Sequence, residues 1–196
     1  MKHPKEEMTL ALVKPDGVKR GLTGEIIRRI EQRGLKIVAL KMIWATREKI
    51  DNHYPKDPKW VHRVGEKTLA TYQKYGIDPV EKLGTDDPDK IGGMIRGWTL
   101  DFMTSGPVVK MAIKGVHAID MVRKLAGNTM PYMADIGSIR GDYSVDSAVL
   151  ANADKRPVHN IVHASENLEE ATHELSYWFS EDEICDYKRA EEDVMF

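Results

Sequence analysis

The sequence predicts an α+β fold in which helices cover a four-stranded antiparallel sheet. Short apolar runs and amphipathic helical patterns follow one another in the order strand, helix, strand, strand, helix, strand. The 196 residues, 41% of them hydrophobic, suffice for a single domain with its own core. No stretch of about 18 apolar residues interrupts this pattern, so no membrane span is expected.

The first strand and the first helix are separated by a turn-like segment. Residues 9–13 form an apolar run that ends at Lys14-Pro15-Asp16-Gly17, a composition typical of a turn. A helix is predicted from Gly24 to about Arg33, with Thr23 as its N-cap and Gly34 as its stop. These patterns predict the first βα unit of the fold.

A second strand and a long insertion follow. Residues 35–44 are rich in Val and Ile and alternate in part, which predicts a strand, and residues 47–53 are a short helix candidate. Proline and glycine punctuate residues 55–100, where only 66–75 suggest a helix. We interpret this segment as an elaboration of the same domain, because it holds few large apolar residues for a core of its own.

The second half of the sequence completes the sheet. Residues 108–113 predict a strand and residues 117–126 a helix, followed by a mostly irregular stretch from 128 to 153. A short β-branched run at 160–164 predicts the last strand.

A capping-box pattern begins the last helix. Asn167 is the expected N-cap and Glu170 the N3 residue. A helical stripe then follows: Leu168, Ala171, Leu175 and Trp178. The complete order is βαββαβ, the ferredoxin-like arrangement, within a single domain spanning residues 1–196.

Charge and cysteine content exclude several classes of protein. The net charge of −2 gives no global attraction to nucleic acid or to anionic membranes. The single cysteine, Cys185, excludes an internal disulfide and a multi-cysteine zinc site. The polar start of the chain lacks a secretory core, so a cytoplasmic location is expected. Neither a glycine-rich phosphate loop nor an Asp, Glu and His cluster with metal-ligand spacing is evident.

His163 is the most prominent candidate for chemistry. It ends the run Asn160-Ile161-Val162-His163-Ala164-Ser165, and a neutral imidazole near its usual pKa can act as a nucleophile at neutral pH. Helical spacing places Glu174 on the side of its helix where it can hold one imidazole nitrogen. The alternatives are a packed strand histidine and a solvated helix glutamate.

Four other residues are candidates for binding phosphate. Lys14 follows a strand end, Thr129 follows a helix end, and Arg140 lies beside a glycine in a predicted loop. Arg123 occupies the last turn of its helix, where the dipole favours a cation in any case. Each has a purely structural alternative: a solvated turn lysine, a helix-terminating loop, and a surface ion pair between Arg140 and Asp142.

Four motifs in this order resemble the nucleoside diphosphate kinase family. They are residues 14–27 (KPDGVKRGLTGEII), 104–109 (TSGPVV), 139–143 (IRGDY) and 160–165 (NIVHAS). The resemblance covers residues 8–54 and about 101–187. It implies the ferredoxin-like fold and a reversible ping-pong transfer of the γ-phosphate from a nucleoside triphosphate to a nucleoside diphosphate, through a phosphohistidine.

The resemblance also implies roles for individual residues. His163 matches the phosphorylated histidine and Glu174 the carboxylate that orients it, with Ser165 linked nearby. The positions that hold phosphates and sugar are matched by Lys14, Tyr54, Arg123, Thr129, Arg140 and Asn160. The resemblance also implies a catalytic role for Lys14. Mg²⁺ is expected to enter with the nucleotide, without a protein metal site.

Two insertions depart from the family pattern and look archaeal. They cover about residues 55–100 and 144–157, and Val158-His159 stands where the family usually has Gly-Arg. The residue that stacks on the base is left open among Trp60, Ile95 and Trp98. The family implies a homo-oligomer, a hexamer in preference to a tetramer.

Two other functions compete with the kinase. One is a nucleotide-binding or interaction protein on the same fold with reduced turnover. The other is a nucleic-acid-binding regulator, which the net charge and the lack of exposed strand aromatics disfavour. Neither nucleic acid nor a membrane is an expected partner.

Overall fold

The computed structural model describes residues 5–190 and 192–195 and contains one four-stranded sheet. The strands are β1 (Glu6–Val13), β2 (Lys36–Ile43), β3 (Val108–Val116) and β4 (Val162–Ala164). They lie in the order β2-β3-β1-β4, and every neighbouring pair is antiparallel. The predicted antiparallel sheet is confirmed.

Helices precede, join and follow these strands. They are α1 (Pro15–Lys19), α2 (Thr23–Gln32), α3 (Arg47–His53), α4 (Pro58–Lys74), α5 (Pro79–Leu83), α6 (Pro88–Met103), α7 (Ala118–Ala126), α8 (Ile139–Tyr143), α9 (Ala148–Ala153), α10 (Leu168–Trp178) and α11 (Glu192–Met195). None of them, within the residues described, is long and apolar enough to cross a lipid bilayer.

Alternation along the central strand β1 produces two cores, one on each face of the sheet. Ala11 and Val13 face α2 and α7, whereas Leu10 and Leu12 face α3 and the ends of α6 and α10. All four side chains are fully buried. Helix α10 therefore packs against β1, on the face of the sheet that carries Leu10 and Leu12.

The start of the first helical segment differs from the sequence prediction. The predicted turn at Lys14-Pro15-Asp16-Gly17 is the entrance of α1, with proline at the first helical position. Thr23 is the first residue of α2 and not its N-cap; Leu22 occupies the cap without a side-chain hydrogen bond. The chain enters α2 directly from α1, which leaves no extended residue for a side-chain cap.

The first insertion is more ordered than the sequence predicts. It contains α4, α5 and most of α6, where only residues 66–75 suggested a helix. Tyr72, Leu83 and Ile91 form a small buried cluster, so the insertion does have a core of its own. A Cβ atom on Gly65 would lie 1.9 Å from the carbonyl oxygen of Pro88, so this glycine permits α4 and α6 to approach closely.

The stretch from 128 to 153 is also less irregular than expected. It contains α8, α9 and a single 3₁₀ turn at Pro131–Met133. Ser138 caps α8 and Ser147 caps α9 through side-chain hydrogen bonds to backbone amides. The predicted N-cap Asn167 does cap α10, but Glu170 accepts from the amide of Glu166, so the reciprocal half of the capping box is not formed.

Candidate active site

A strained turn presents His163 at the end of the sheet. The last strand begins at Val162, two residues later than predicted, because Ile161 adopts a left-handed backbone with φ of 71°. Such a conformation costs a β-branched residue about 1–3 kcal/mol. The amide of Val162 donates to the carbonyl oxygen of Asn160 at 2.7 Å, closing a tight turn around Ile161.

Helix α1 holds this strained turn in place. The amide of Ile161 donates to Asp16 Oδ2 at 3.0 Å, and its carbonyl accepts from the amide of Lys14 at 2.8 Å. Glycine at position 17 relieves crowding here, since a Cβ atom would lie only 3.0 Å from the carbonyl oxygen of Ile161. The Lys-Pro-Asp-Gly segment therefore holds both backbone polar groups of Ile161.

Glu174 orients the imidazole of His163. Its Oε1 lies 2.8 Å from His163 Nε2, and its Oε2 accepts a hydrogen bond from the Ser165 hydroxyl at 2.6 Å. Glu174 is only 3% exposed, which rules out the solvated-glutamate alternative. A carboxylate on Nε2 favours the tautomer with the proton there, leaving a lone pair on Nδ1.

Burial and charge keep this imidazole neutral. Burial is the largest cause that lowers the pKa of His163 well below its usual 6.5, and the cation of Lys14 adds to it. Burial also raises the pKa of Glu174. Nδ1 of His163 has no hydrogen bond to any residue that the structure describes, and the side chain lines a cavity. The ring is therefore an available neutral nucleophile.

Lys14 and Thr129 meet at the side chain of Asn160. The Lys14 ammonium donates to Asn160 Oδ1 at 2.7 Å, while Asn160 Nδ2 donates to the carbonyl oxygen of Thr129 at 2.9 Å. Burial, followed by the charge of Arg140, lowers the pKa of Lys14 from 10.5 to about 8. The solvated-lysine alternative is therefore wrong.

Arg140 is a buried cation in a helix, where the sequence predicted a loop, and the alternative of a surface ion pair with Asp142 is wrong. It lies in α8 and is 8% exposed, and Asp142 pairs instead with Arg29 at 2.7 Å. Its guanidinium donates to three backbone carbonyls, those of Asn160 at 3.2 Å, Gly127 at 2.7 Å and Val162 at 2.6 Å. Burial lowers its pKa to about 10. Arg140 thus connects α8 to the strand of His163.

These side chains surround a cavity of about 390 Å³. The predicted residues that line it are Lys14, Tyr54, Arg123, Thr129, Arg140, Asn160 and His163. The side chain of Arg123 makes no hydrogen bond or ion pair within the described part of the chain, so its charge is available to a ligand. Three cations around a neutral nucleophile suit a polyanionic ligand.

A second, larger cavity of about 780 Å³ continues from the first. Both are lined by Lys14, Tyr54 and Thr129, and the larger one extends between α4, α6 and α9 of the two insertions. Trp60 and Ile95 line it, whereas Trp98 packs against the buried cluster of the first insertion. A flat apolar group attached to a polyanion could occupy this second cavity.

The sequence reasoning missed His53. Its ring lies edge-on to that of His163 with centroids 4.7 Å apart, and its Nδ1 accepts a hydrogen bond from the Trp178 indole at 3.2 Å. The same Nδ1 is 3.4 Å from Glu174 Oε1. Burial lowers the pKa of His53 well below its usual range. Since 110 positions separate the two histidines, no local spacing pattern could have indicated their contact.

A family model matches both halves of the chain around this site. The model for "Nucleoside diphosphate kinase" matches residues 7–61 and 97–184. The unmatched stretch falls within the first insertion. The matched ranges contain every residue assigned above to the first cavity.

Relatives and solved structures agree with this match. A nucleoside diphosphate kinase from Pyrobaculum aerophilum is 51% identical over 92% of this chain and 98% of its own length, and one from Archaeoglobus fulgidus is 39% identical over 97% of each. The crystal structure of an NDP kinase from Pyrobaculum aerophilum covers 92% of this chain and all of its own, with a TM-score of 0.89 and 49% identity.

A transition-state mimic of nucleoside-diphosphate kinase from Borrelia burgdorferi, with bound vanadate and ADP, covers 98% of both chains with a TM-score of 0.78 and 33% identity. The similarity in sequence and fold extends over nearly the whole of each chain. Similarity of this extent is typical of members of one family. The chain belongs to the nucleoside diphosphate kinase family.

Proposed function

We propose that this chain transfers the γ-phosphate of a nucleoside triphosphate to a nucleoside diphosphate through a phosphohistidine at His163. The observation that carries the proposal is the pairing of His163 Nε2 with Glu174, which leaves Nδ1 with a lone pair at a cavity rich in cations. The relative from Borrelia burgdorferi was solved with vanadate and ADP, ligands that fit a phosphoryl-transfer site.

The reaction takes place in two matched halves. The Nδ1 lone pair attacks the γ-phosphorus, the bond from phosphorus to the bridging oxygen breaks, and the diphosphate leaves with that electron pair. A terminal oxygen of the acceptor diphosphate then attacks the phosphorus and releases His163. Glu174 holds the Nε2 proton throughout and offsets the positive charge of the phosphorylated ring.

Cations stabilise the charge that spreads over the phosphoryl oxygens in both halves. Lys14 and Arg123 line the cavity directly, while Arg140 adds charge as it holds the turn that precedes His163. The Tyr54 hydroxyl is buried without a protein partner in the described chain, so it can donate to the ligand. Preorganised charge of this kind is the main contribution that a protein makes to phosphoryl transfer.

We propose that Mg²⁺ arrives bound to the nucleotide. The carboxylates that line the first cavity are Glu166 and Glu170, and the latter already accepts from a backbone amide. Mg²⁺ prefers six oxygen ligands and keeps several waters among them. Two phosphate oxygens of the nucleotide, together with waters, would supply the ligands that these side chains do not. The ion would neutralise phosphate charge and orient the phosphates.

The second cavity provides a place for the base. Its apolar surface extends from Tyr54 toward Trp60 and Ile95, both from the first insertion. Stacking on such a surface tolerates every base because each has an apolar face. The sequence prediction left Trp98 open as well, but Trp98 lines neither cavity, which disfavours it for this role.

Steady-state kinetics test the proposed function. If one site serves both half-reactions, initial rates with varied ATP at several fixed concentrations of a second diphosphate will give parallel double-reciprocal lines. Intersecting lines would mean that both nucleotides bind together and that no phosphoenzyme is formed. An absence of turnover would favour the alternative, a nucleotide-binding protein on the same fold, which the complete set of site residues disfavours.

Replacing Glu174 should impair the chemistry more than binding. In Glu174→Gln the neutral amide no longer offsets the positive charge of the phosphorylated ring and, unlike the carboxylate, can also present its NH2 to His163 Nε2, which would place the ring proton on Nδ1. We expect kcat to fall by about 10²-fold while the KM for nucleotide changes little. Glu169→Gln, an exposed residue of the same helix, is the matched control. An equal rise in KM would instead make Glu174 a binding residue.

Activity should decline at alkaline pH because of Lys14. Its pKa of about 8 means that the free enzyme loses this cation as the pH rises through that value, and phosphate binding weakens. We expect kcat/KM, measured over about pH 6 to 10, to fall on the alkaline side with an apparent pKa near 8. Lys14→Arg keeps its charge and should move this decline to higher pH. A decline that stays in place in this variant would assign it to another group.

Assembly, location and domain organisation are further parts of the proposal. Strand β2 is an edge strand, and it exposes Leu40 and Met42, with Trp44 just beyond its end. An unpaired apolar edge favours pairing with a second copy, so we propose a homo-oligomer, specifically a hexamer. We also propose that the protein is cytoplasmic and that it forms one domain carrying two insertions. Light scattering after size exclusion measures the subunit number.

A further inference from the structure

Two histidines and a carboxylate from three different elements come together behind the active-site ring. His53 ends α3, His163 lies in β4 and Glu174 lies in α10. One ligand atom of each lies within 4.8 Å of the others. Glu174 Oε1 is the shared centre, at 2.8 Å from His163 Nε2 and 3.4 Å from His53 Nδ1.

This set of atoms has the composition of a zinc site. Two imidazole nitrogens and one carboxylate oxygen are a known three-ligand set for Zn²⁺, with a fourth position left for water. Zinc–ligand bonds of about 2.0–2.2 Å place neighbouring ligands somewhat more than 3 Å apart. The two distances to Glu174 Oε1 are close to this value, and the two imidazole nitrogens, which lie within 4.8 Å of each other, would approach as the ion binds. Mg²⁺ is a poor fit, since it prefers oxygen ligands in an octahedron.

The side chains of this candidate site are largely enclosed and open only toward the phosphate cavity. The side chains of His53 and Glu174 are 1% and 4% exposed, whereas that of His163 is 17% exposed, on the side of the phosphate cavity. An ion would therefore enter past His163. The Trp178 indole now donates to His53 Nδ1, and zinc would displace it. Losing this hydrogen bond weakens binding, which makes the site reversible and not structural.

We propose that His53, His163 and Glu174 form an inhibitory zinc site that switches off the nucleophile from behind. This inference rests on the proposed function of His163. A neutral imidazole carries one lone pair, and zinc on Nε2 takes it, so the ring proton moves to Nδ1 through solvent. Nδ1 then has no electron pair for phosphorus. The cations of the nucleotide cavity are not ligands, so nucleotide binding persists.

The experiment separates this mechanism from zinc acting on the nucleotide. Metal-free protein receives γ-labelled ATP with saturating Mg²⁺ at several buffered concentrations of free zinc, and both labelling of the chain and the affinity for ADP are measured. We expect the labelling rate to fall about tenfold or more at saturating zinc, with the ADP dissociation constant changed by less than about twofold. A matching loss of ADP affinity would overturn the proposal.

Two variants locate the site. His53→Asn keeps an acceptor for Trp178 but removes an imidazole ligand. The zinc concentration that halves the labelling rate of this variant, measured against the variant's own zinc-free rate, should therefore rise about tenfold or more. His62→Ala removes an exposed histidine that lies 2.9 Å from Asp89, a candidate for adventitious zinc, and should leave this value unchanged. Unchanged inhibition in His53→Asn, or loss of inhibition in His62→Ala, would contradict the assignment.

A direct measurement of zinc binding distinguishes a failure of the zinc site from a failure of the proposed function. Competition with a chromophoric zinc indicator, without nucleotide, should show a zinc equivalent that His53→Asn loses and His62→Ala retains. If the wild type binds this zinc but takes no label when metal-free, the metal site stands and the proposed function fails. If the wild type takes label but binds no such zinc, the function stands and the metal site fails.

Discussion

His163→Ala is expected to abolish phosphoryl transfer while leaving the fold intact. The proposed reaction has a covalent intermediate on this ring, and no other imidazole in the described chain lines the first cavity. We expect kcat to fall by about 10⁴-fold or more, as for loss of other covalent nucleophiles. The change is measured by coupled assay with ATP and a second diphosphate.

Stability and a matched histidine variant control for indirect effects. The side chain of His163 is 17% exposed and lines the first cavity, so thermal unfolding of the variant should resemble that of the wild type. His173→Ala removes an exposed histidine of α10 and should retain full turnover. Turnover in His163→Ala comparable to that of His173→Ala would refute the assigned nucleophile.

Arg140→Ala is expected to lower both stability and activity. The guanidinium donates to the carbonyls of Asn160, Gly127 and Val162, and its removal leaves those of Gly127 and Val162 without their donor, whereas that of Asn160 keeps the amide of Val162. The free energy of unfolding should fall by about 3–5 kcal/mol. For a chain of this length the melting temperature then falls by about 10 °C. Differential scanning calorimetry measures this shift.

Activity in the Arg140→Ala variant should fall even below its melting temperature. The turn around Ile161 is strained, and without the Arg140 bonds to its neighbours it has less to hold it in the left-handed conformation. Arg28→Ala is the control, because this arginine is exposed on α2 and pairs only with groups of its own helix. A melting temperature of Arg140→Ala as high as that of Arg28→Ala would show that the buried hydrogen bonds are dispensable.

Periodicity along the sequence predicts the fold well because the sheet and its main helices are locally amphipathic. Residues in β1 alternate between two cores, and α2 carries an apolar stripe that the structure buries at Ile26 and Ile30. The stripe of α10 is buried at Ala171 and Trp178, but Leu168 at its start is 65% exposed. Helical spacing put Glu174 on the side of Ala171 and Trp178, from which it could reach His163, and the structure has this contact. Most of the insertion helices were missed because proline and glycine were read as marks of loops. In the structure, proline there begins helices, and glycine, as at Gly65, permits close contact between them.

The remaining features of the site depend on tertiary contacts that no local pattern carries. His53 reaches His163 only because α3 packs on the face of the sheet that also carries the end of α10. Ile161 reads as an ordinary strand residue, but Asp16 and Lys14 hold its backbone in a left-handed turn. The burial of Arg140 likewise follows from the placement of α8 against the last strand.

Labelling without an acceptor tests the central assignment most directly. Metal-free protein mixed with Mg²⁺ and γ-labelled ATP should incorporate a stable equivalent of phosphate that is acid-labile, base-stable and removed by added diphosphate. Phosphorus NMR and peptide mapping should place it on Nδ1 of His163, the nitrogen that Glu174 leaves free. Label on another residue, on Nε2, or none at all in the wild type would contradict the account.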